Sequence, residues 1–330
     1  MKTTLNRLIQ HETISKQHAK AALMQISNHE VNNAQIAAFL TVFMMRNITL
    51  EELEGFREAL IELCIPVNLS AYAPIDLCGT GGDGKHTFNI STSASFLAAA
   101  CGVKVAKHGN YGVSSISGSS NVLEAVGVKF TNHQDELERQ IDQAGICILH
   151  APLFHPAMKA VAPIRKSLAV KTFFNMLGPM VNPAQPPHQL VGVFNLELMR
   201  LYAYLYQKTD KHYSILHDLN GYDEISLTGQ TRRISRHKDD FINAKSFNLN
   251  SISPEAIYGG DDIKTSAEIF TQLLKGKGTS AQHHVVAANA ALAISLVKQI
   301  DHQQAFEEAL ETLLSGKAYT VLQQLINLSN

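Results

Sequence analysis

Residues 76 to 96 read DLCGTGGDGKHTFNISTSASF, with Gly79, Gly81, Gly82 and Gly84 set close together. Glycines at that density permit positive φ and bare the main-chain N–H groups, as a polyanion lying against backbone requires. Thr87, Asn89, Ser91 and Thr92 follow at the expected start of a helix, where the macrodipole also favours phosphate. A tight strand-to-helix turn is the plainer reading of the glycines alone. The spacing is neither GxGxxG nor GxxxxGKS/T, so neither a dinucleotide fold nor a Walker loop is expected.

A second cluster, KHGNYGVSSISGSS, covers residues 107 to 120 and combines Lys107 and Asn110 with three glycines and the hydroxyls of Ser114, Ser115, Ser117, Ser119 and Ser120. Two polar, glycine-rich loops leaving the carboxyl ends of neighbouring strands converge where open α/β sheets bind ligands, and a pyrophosphate-sized anion suits them. A lone lysine is ordinarily a solvated surface group; one that ends an apolar strand beside such a loop is a phosphate partner. The third feature is GYDEISLTG, with Asp223 adjacent to Glu224. On a strand such neighbours face opposite ways and carry no joint meaning. In a loop both reach magnesium, which is usually held by one or two carboxylates, water and substrate phosphates. His108 and His155 are the acid–base candidates; with fifteen histidines in the chain, both are read as lining the site and neither is given a proton-transfer role.

These residues must be positioned by larger elements. The first seventy residues read as helices, with apolar residues three and four apart and Thr49 and Glu52 in capping-box spacing. After Pro66 the texture changes to alternating strand and helix patterns, which predict βαβ units and a largely parallel sheet covered by helices. PAMKAVAPIRKSLAV looks helical again, and the proline-rich NMLGPMVNPAQPPHQ reads as a crossing linker. The expected division is therefore a small helical domain of residues 1–70, rejoined by about 163–185, and an α/β domain of residues 71–162 and 186–330. From residue 280 two or three helices are expected. At 330 residues, 45% hydrophobic and 17% charged, the chain has ample burial capacity for both.

The formal net charge of −1 gathers neither nucleic acid nor an anionic bilayer, so any anion site must be local. Cys64, Cys78, Cys101 and Cys147 lie far apart, forming neither a disulfide framework nor a zinc site, and a reducing cytoplasm fits them. No signal peptide and no apolar run of membrane-spanning length is read in the sequence.

In order and spacing, GTGGDG, NIST, KHGN, VSS, SGSS, HPAMKAVAPIRKSL, FNMLGPMVNPA and DEIS resemble the anthranilate phosphoribosyltransferases of tryptophan biosynthesis over nearly the whole chain. The resemblance implies a small all-helical N-terminal domain hinged to a larger α/β domain with a central mostly parallel sheet, the fold shared with pyrimidine nucleoside phosphorylases, and a homodimer. It implies transfer of the phosphoribosyl group of phosphoribosyl pyrophosphate to the amine of anthranilate, with two magnesium ions per subunit. Carried over by position, Gly79, Gly82, Asp83, Thr87, Asn89, Ser91, Thr92, Lys107, Ser115 and Ser119 contact the sugar diphosphate, and Ile90, His108, Gly109 and Ser114 join the substrate-binding positions. Ser91, Asp223 and Glu224 serve the metal; Asn110 and Arg165, with Gly79 at the boundary, address anthranilate. Tyr111 and Gly112 stand where many members have an arginine after KHGN, and Asn121 where an aspartate often follows SGS. A pyrimidine nucleoside phosphorylase would lack the acidic pair, and a nucleic-acid-binding relative would need a basic groove.

Overall fold

Three of the early helices start on a side chain that the sequence supplies. Ser15 accepts from the N–H of His18 to open Lys16–Ser27, Asn32 from Gln35 to open Asn33–Met45, and Thr49 forms the expected capping box with Glu52 to open Leu50–Leu63. The computed structural model describes residues 1–112 and 116–329. It divides into one unit of Met1–Val67 with Ala151–Gln185 and another of Asn68–His150 with Pro186–Asn330.

In the first unit Glu52 does more than cap. Its side chain is 0% exposed and accepts from Arg46 Nη1 and Nη2 at 3.0 and 2.5 Å, from Ile14 N–H at 3.0 Å and from Thr49 N–H at 2.9 Å. The start of Lys16–Ser27 and the connection between Asn33–Met45 and Leu50–Leu63 are thereby tied to one carboxylate. Burial alone would raise its pKa, but the Arg46 fork and the two backbone donors prevail and hold it below the usual carboxylate value. In the same unit Phe39, Phe43, Phe56 and Phe173 pack as edge-to-face pairs, with Phe56 and Phe173 stacked at 4.5 Å. Phe173 brings the returning segment into this helical core.

That segment opens at Ala151, earlier than the expected residue 163. The reason is the helix Pro156–Leu168, which begins with proline in its first turn, runs through Pro163 without breaking and buries Ala157, Val161 and Ile164. A rigid helix joins one core as a whole.

The second unit is built on a seven-stranded sheet of β1 (Ile75–Gly79), β2 (Val105–Gly109), β3 (Ile146–His150), β4 (His188–Gly192), β5 (His212–Asp218), β6 (Thr231–Ser235) and β7 (Asp239–Ile242), in the order β3-β2-β1-β4-β5-β6-β7. β1 to β5 are parallel, while β6 and β7 add antiparallel at one edge. β1 pairs with β4 from Ile75↔His188 to Gly79↔Gly192, but with β2 only at Ile75↔Val105. Helices Ile90–Ala100 and Ser280–Lys298 are buried along most of their length, and three helices close the chain from residue 280. No helix among the described residues is long and apolar enough to cross a membrane.

Removing one partner of a buried ion pair leaves the other uncompensated, so Glu52→Gln is expected to destabilise the helical unit by about 3 kcal/mol. The pH sign follows from the depressed pKa: the contribution is present above the unfolded carboxylate's pKa and is lost as pH falls through the native value. Urea titrations at pH 7 and pH 3 check this. Wild type should lose stability toward acid more steeply than the variant, and parallel curves would contradict it.

Candidate functional site

The first loop leaves β1 and reaches the helix Ile90–Ala100 through Gly81, Gly82 and Gly84, all at positive φ (62°, 77° and 74°). Thr80 N–H holds its start to Gly192 O at 2.9 Å, and its far end is bound to the 257–259 segment by Phe88 N–H to Ile257 O at 3.1 Å and Gly259 N–H to His86 O at 2.8 Å. At Gly79 the requirement is space: a Cβ there would strike the Asp223 carboxylate. Only a hydrogen fits.

Asp223 and Glu224 lie in the loop between β5 and β6, and both turn toward the glycine loop. Asp223 Oδ2 accepts from Gly81 N–H at 2.8 Å, and Glu224 Oε1 accepts from Ser91 N–H, in the first turn of Ile90–Ala100, at 2.8 Å. Adjacent residues that would diverge on a strand are here brought onto one site. Asn289, from the buried helix, clamps the next residue, accepting from Ile225 N–H at 3.1 Å and donating to Ile225 O at 2.9 Å. Burial, then repulsion from Asp83, raises the Asp223 pKa to about 7; burial, then repulsion from Asp223, raises Glu224 to about 8. Asp83 is raised as well, chiefly by burial, while its Oδ1 accepts from Lys85 N–H at 3.0 Å.

Crowded carboxylates with raised pKa values call for a cation. Their hard oxygen donors fit magnesium, and the amides of Gly81 and Ser91 already favour negative charge. No group of three or more His, Cys, Asp or Glu side chains among the described residues could hold a metal ion unaided. Substrate phosphate and water would have to complete its shell.

The second loop leaves β2, whose last three residues are Lys107, His108 and Gly109. Lys107 is not on the surface: it is 2% exposed, and its Nζ donates to Leu77 O at 2.6 Å. Burial lowers its pKa, opposed by the charges of Asp76, Cys78 and Glu224. His108 and Thr92 are buried too. Asn110 O accepts from Ser119 Oγ at 3.3 Å and from Ser120 N–H at 3.2 Å, and a Cβ on Gly109 would meet the Ser119 hydroxyl. Asn89 joins the two loops, its Nδ2 donating to Ser117 O at 3.1 Å. Asn121, one of the two departures from the common pattern, accepts from Gly112 N–H at 2.9 Å and from Gly118 N–H at 3.0 Å, so its amide oxygen supplies the acceptor that a carboxylate would. Tyr111, the other, is 39% exposed and sets its ring edge against His150 at 4.9 Å. Ser114 and Ser115 lie outside the described residues.

Thr87 forms an isolated bridge with Tyr258, and Ile90 is buried as the first residue of its helix. Arg165 and His155 belong to the helical unit. Arg165 Nη2 donates to Asn175 Oδ1 at 3.2 Å and its guanidinium lies 5.4 Å from the Phe174 ring centre, with burial lowering its pKa. His155 is buried, and burial lowers its pKa to about 4, which favours the neutral imidazole. The clamp residue Asn289 escaped the sequence reading. Its signal was a lone amide within the apolar run VVAANAALAI.

Residues 2–64 match the model of the glycosyl transferase family, helical bundle domain, and residues 71–319 that of the glycosyl transferase family, a/b domain. The anthranilate phosphoribosyltransferase of Flavobacterium johnsoniae is 64% identical over 100% of both chains, and that of Cytophaga hutchinsonii 50% identical over 99% of this chain and 100% of the relative. Among solved structures, the anthranilate phosphoribosyltransferase of Thermus thermophilus superposes with a TM-score of 0.91 at 31% identity, covering 98% of each chain. The enzyme from Saccharomyces cerevisiae in complex with PRPP and Mg does so with a TM-score of 0.90 at 25% identity, over 100% of this chain and 98% of that one.

If Asn121 locks the second loop, Asn121→Ala removes acceptors from two amides, each bond contributing about 1 kcal/mol. Hydrogen exchange at Gly112 and Gly118 should then quicken by roughly tenfold with the sheet unaffected, since about 1.4 kcal/mol is a factor of ten. Unchanged exchange would mean that the loop is held elsewhere.

Proposed function

The chain belongs to the anthranilate phosphoribosyltransferases of the glycosyl transferase family, and from that premise we propose how its own residues carry the reaction. The enzyme transfers the phosphoribosyl group of phosphoribosyl pyrophosphate to anthranilate, in tryptophan biosynthesis. The C1–O bond to pyrophosphate breaks with its electron pair leaving on the diphosphate, and the anthranilate nitrogen forms the new C1–N bond and loses a proton. Positive charge develops on the sugar and negative charge on the leaving group.

The observation that carries the assignment of residues is the convergence of Asp223 and Glu224 on the Gly81 and Ser91 amides. In this reading Asp223, Glu224 and Ser91 hold magnesium, two ions per subunit, which would neutralise charge on the diphosphate. Main-chain N–H groups of the 79–84 loop and of the helix beginning at Ile90, beside the Gly81 and Ser91 amides that donate to the acids, would donate to phosphate oxygens, and Asp83, Thr87, Asn89 and Thr92 border them. Lys107 adds the one cation at the end of β2, with His108, Gly109, Ser114, Ser115 and Ser119 along the second loop. Asn110 and Arg165 address anthranilate, the planar Arg165 fork suiting its carboxylate. No side chain is assigned as general acid or base. The aromatic amine is an available nucleophile, and holding it beside C1 supplies the rate.

We further infer a homodimer and a cytoplasmic enzyme. Ile9, Met44 and Met45, exposed by 61%, 42% and 75% on the helical unit, support the first, and four free cysteines the second.

The test is consumption of phosphoribosyl pyrophosphate by the purified protein with magnesium. Turnover should require anthranilate, with loss of the free acid's fluorescence, and Asp223→Asn with Glu224→Gln should lower it by roughly 100-fold or more. The same variant should melt no lower than wild type in metal-free buffer, because two mutually repelling buried carboxylates are gone. Equal turnover with thymidine and phosphate would contradict the reaction, and full activity of the double variant would contradict the metal site.

A further inference from the structure

The ladder between β1 and β2 stops one rung after it starts. Ile75 N–H donates to Lys104 O at 2.9 Å, and pairing ends at Ile75↔Val105. A parallel ladder continued in that register would next join His108 N–H to Leu77 C=O. Instead His108 N–H donates to Asp76 Oδ1 at 3.1 Å, and Leu77 C=O accepts from Lys107 Nζ at 2.6 Å. A carboxylate and an ammonium have each taken one half of a backbone rung.

Both groups are buried, Asp76 at 0% and Lys107 at 2% exposure. Charges so enclosed are tolerated when each offsets the other and their hydrogen bonds are made. Strand alternation sends Asp76 and Leu77 to opposite faces, so the two charges act through the main chain between them. Burial is the larger influence on Lys107 and opposes the ammonium; the groups facing it are Asp76 and Cys78 from β1 and Glu224 from the loop after β5. With Cys78 held as a neutral thiol and Glu224 raised toward its acid form, Asp76 is the main charge that favours the ammonium. An ammonium has three donors, so the bond to Leu77 C=O fixes Lys107 without exhausting it.

We propose that Asp76 is a positioning residue for the sugar-diphosphate donor. By taking the His108 N–H it releases the Leu77 carbonyl to hold Lys107, and it keeps β1 and β2 parted at the ends from which both glycine-rich loops leave. Its negative charge also retains the proton on Lys107. This rests on the reading of Lys107 as a contact to the diphosphate, and it adds a residue that does not itself touch substrate. Asp76→Asn separates the two effects, since the amide oxygen still accepts from His108 N–H while the charge is lost.

The experiment is steady-state kinetics across pH, with magnesium and saturating anthranilate, for wild type, Asp76→Asn, Lys107→Met and the double variant. Asp76→Asn should raise the KM for phosphoribosyl pyrophosphate about tenfold on the alkaline side, the effect of a one-unit drop in the Lys107 pKa, with the KM for anthranilate unchanged. The alkaline fall of its kcat/KM should move to lower pH, because an ammonium without its counter-charge deprotonates sooner. In the Lys107→Met background the added Asp76→Asn should change neither quantity further. Effects of the two substitutions that multiply, or an alkaline limb left in place by Asp76→Asn, would overturn the proposal while leaving Lys107 as a donor contact. A wild-type donor KM in Lys107→Met overturns that contact itself, and Asp76 then has nothing to act through. The double variant removes both buried charges and should melt no lower than Asp76→Asn alone. A lower midpoint contradicts the pairing, and if Asp76→Asn alone does not fold, comparison of the double variant with Lys107→Met decides the kinetics.

Discussion

Two carboxylates from one loop, each accepting a backbone N–H from another, form the interaction on which the site depends. Asp223 is bound to the glycine loop through Gly81 and Glu224 to the helix start through Ser91. These bonds place negative charge against amides that favour it, yet they crowd two acids and Asp83 into a partly dry place, and their raised pKa values record the cost. In the proposed reading a divalent cation held by the two acids would offset that repulsion, and a bound diphosphate would in turn balance the cation. Much of the surrounding sequence serves that arrangement: Gly79 and Gly192 are bare because Asp223 lies where their Cβ atoms would be, and Asn289 holds Ile225 from the buried helix.

The same economy of backbone bonding recurs in the second loop. Asn121 gathers two amides across the turn, Asn89 spans from the first loop to Ser117, and Asp76 and Lys107 replace a rung of the sheet. Side chains here act mostly as acceptors and donors for main chain. A reaction whose barrier falls by positioning and charge stabilisation needs such rigidity more than it needs an acid or a base. His108 and His155, the two acid–base candidates, are buried and fit that reading, with His155 held toward its neutral form.

How much of this was legible depends on whether the signal is local. The helix starts at Ser15, Asn32 and Thr49 and the alternation of strands and helices follow from periodicity and capping, so both architectures could be expected from the chain. The antiparallel edge of β6 and β7 was not legible because TRRIS shows charges where an apolar pattern would be sought; those charges are paired across to β7, Arg232 with Asp239 and Arg233 with Asp240. Within the site, the glycines and the adjacent acids announce themselves by type. Asp76 does not, since a single acid in APIDLCG gives no hint that its partner is an amide 32 positions away. The return of the chain at Ala151 was hidden for a similar reason, because which core a helix joins is decided by packing partners distant in sequence.

The central claim is that the Gly81 and Ser91 amides and the Asp223–Glu224 pair form one magnesium-dependent diphosphate site. Titration of the isotope-labelled enzyme with inorganic pyrophosphate, with and without magnesium, tests it most directly through the amide resonances of those two residues. Both should shift, with saturation, when pyrophosphate and magnesium are present together, and pyrophosphate alone should move them little. Equal binding without the metal, or binding that leaves both amides unmoved, would contradict it.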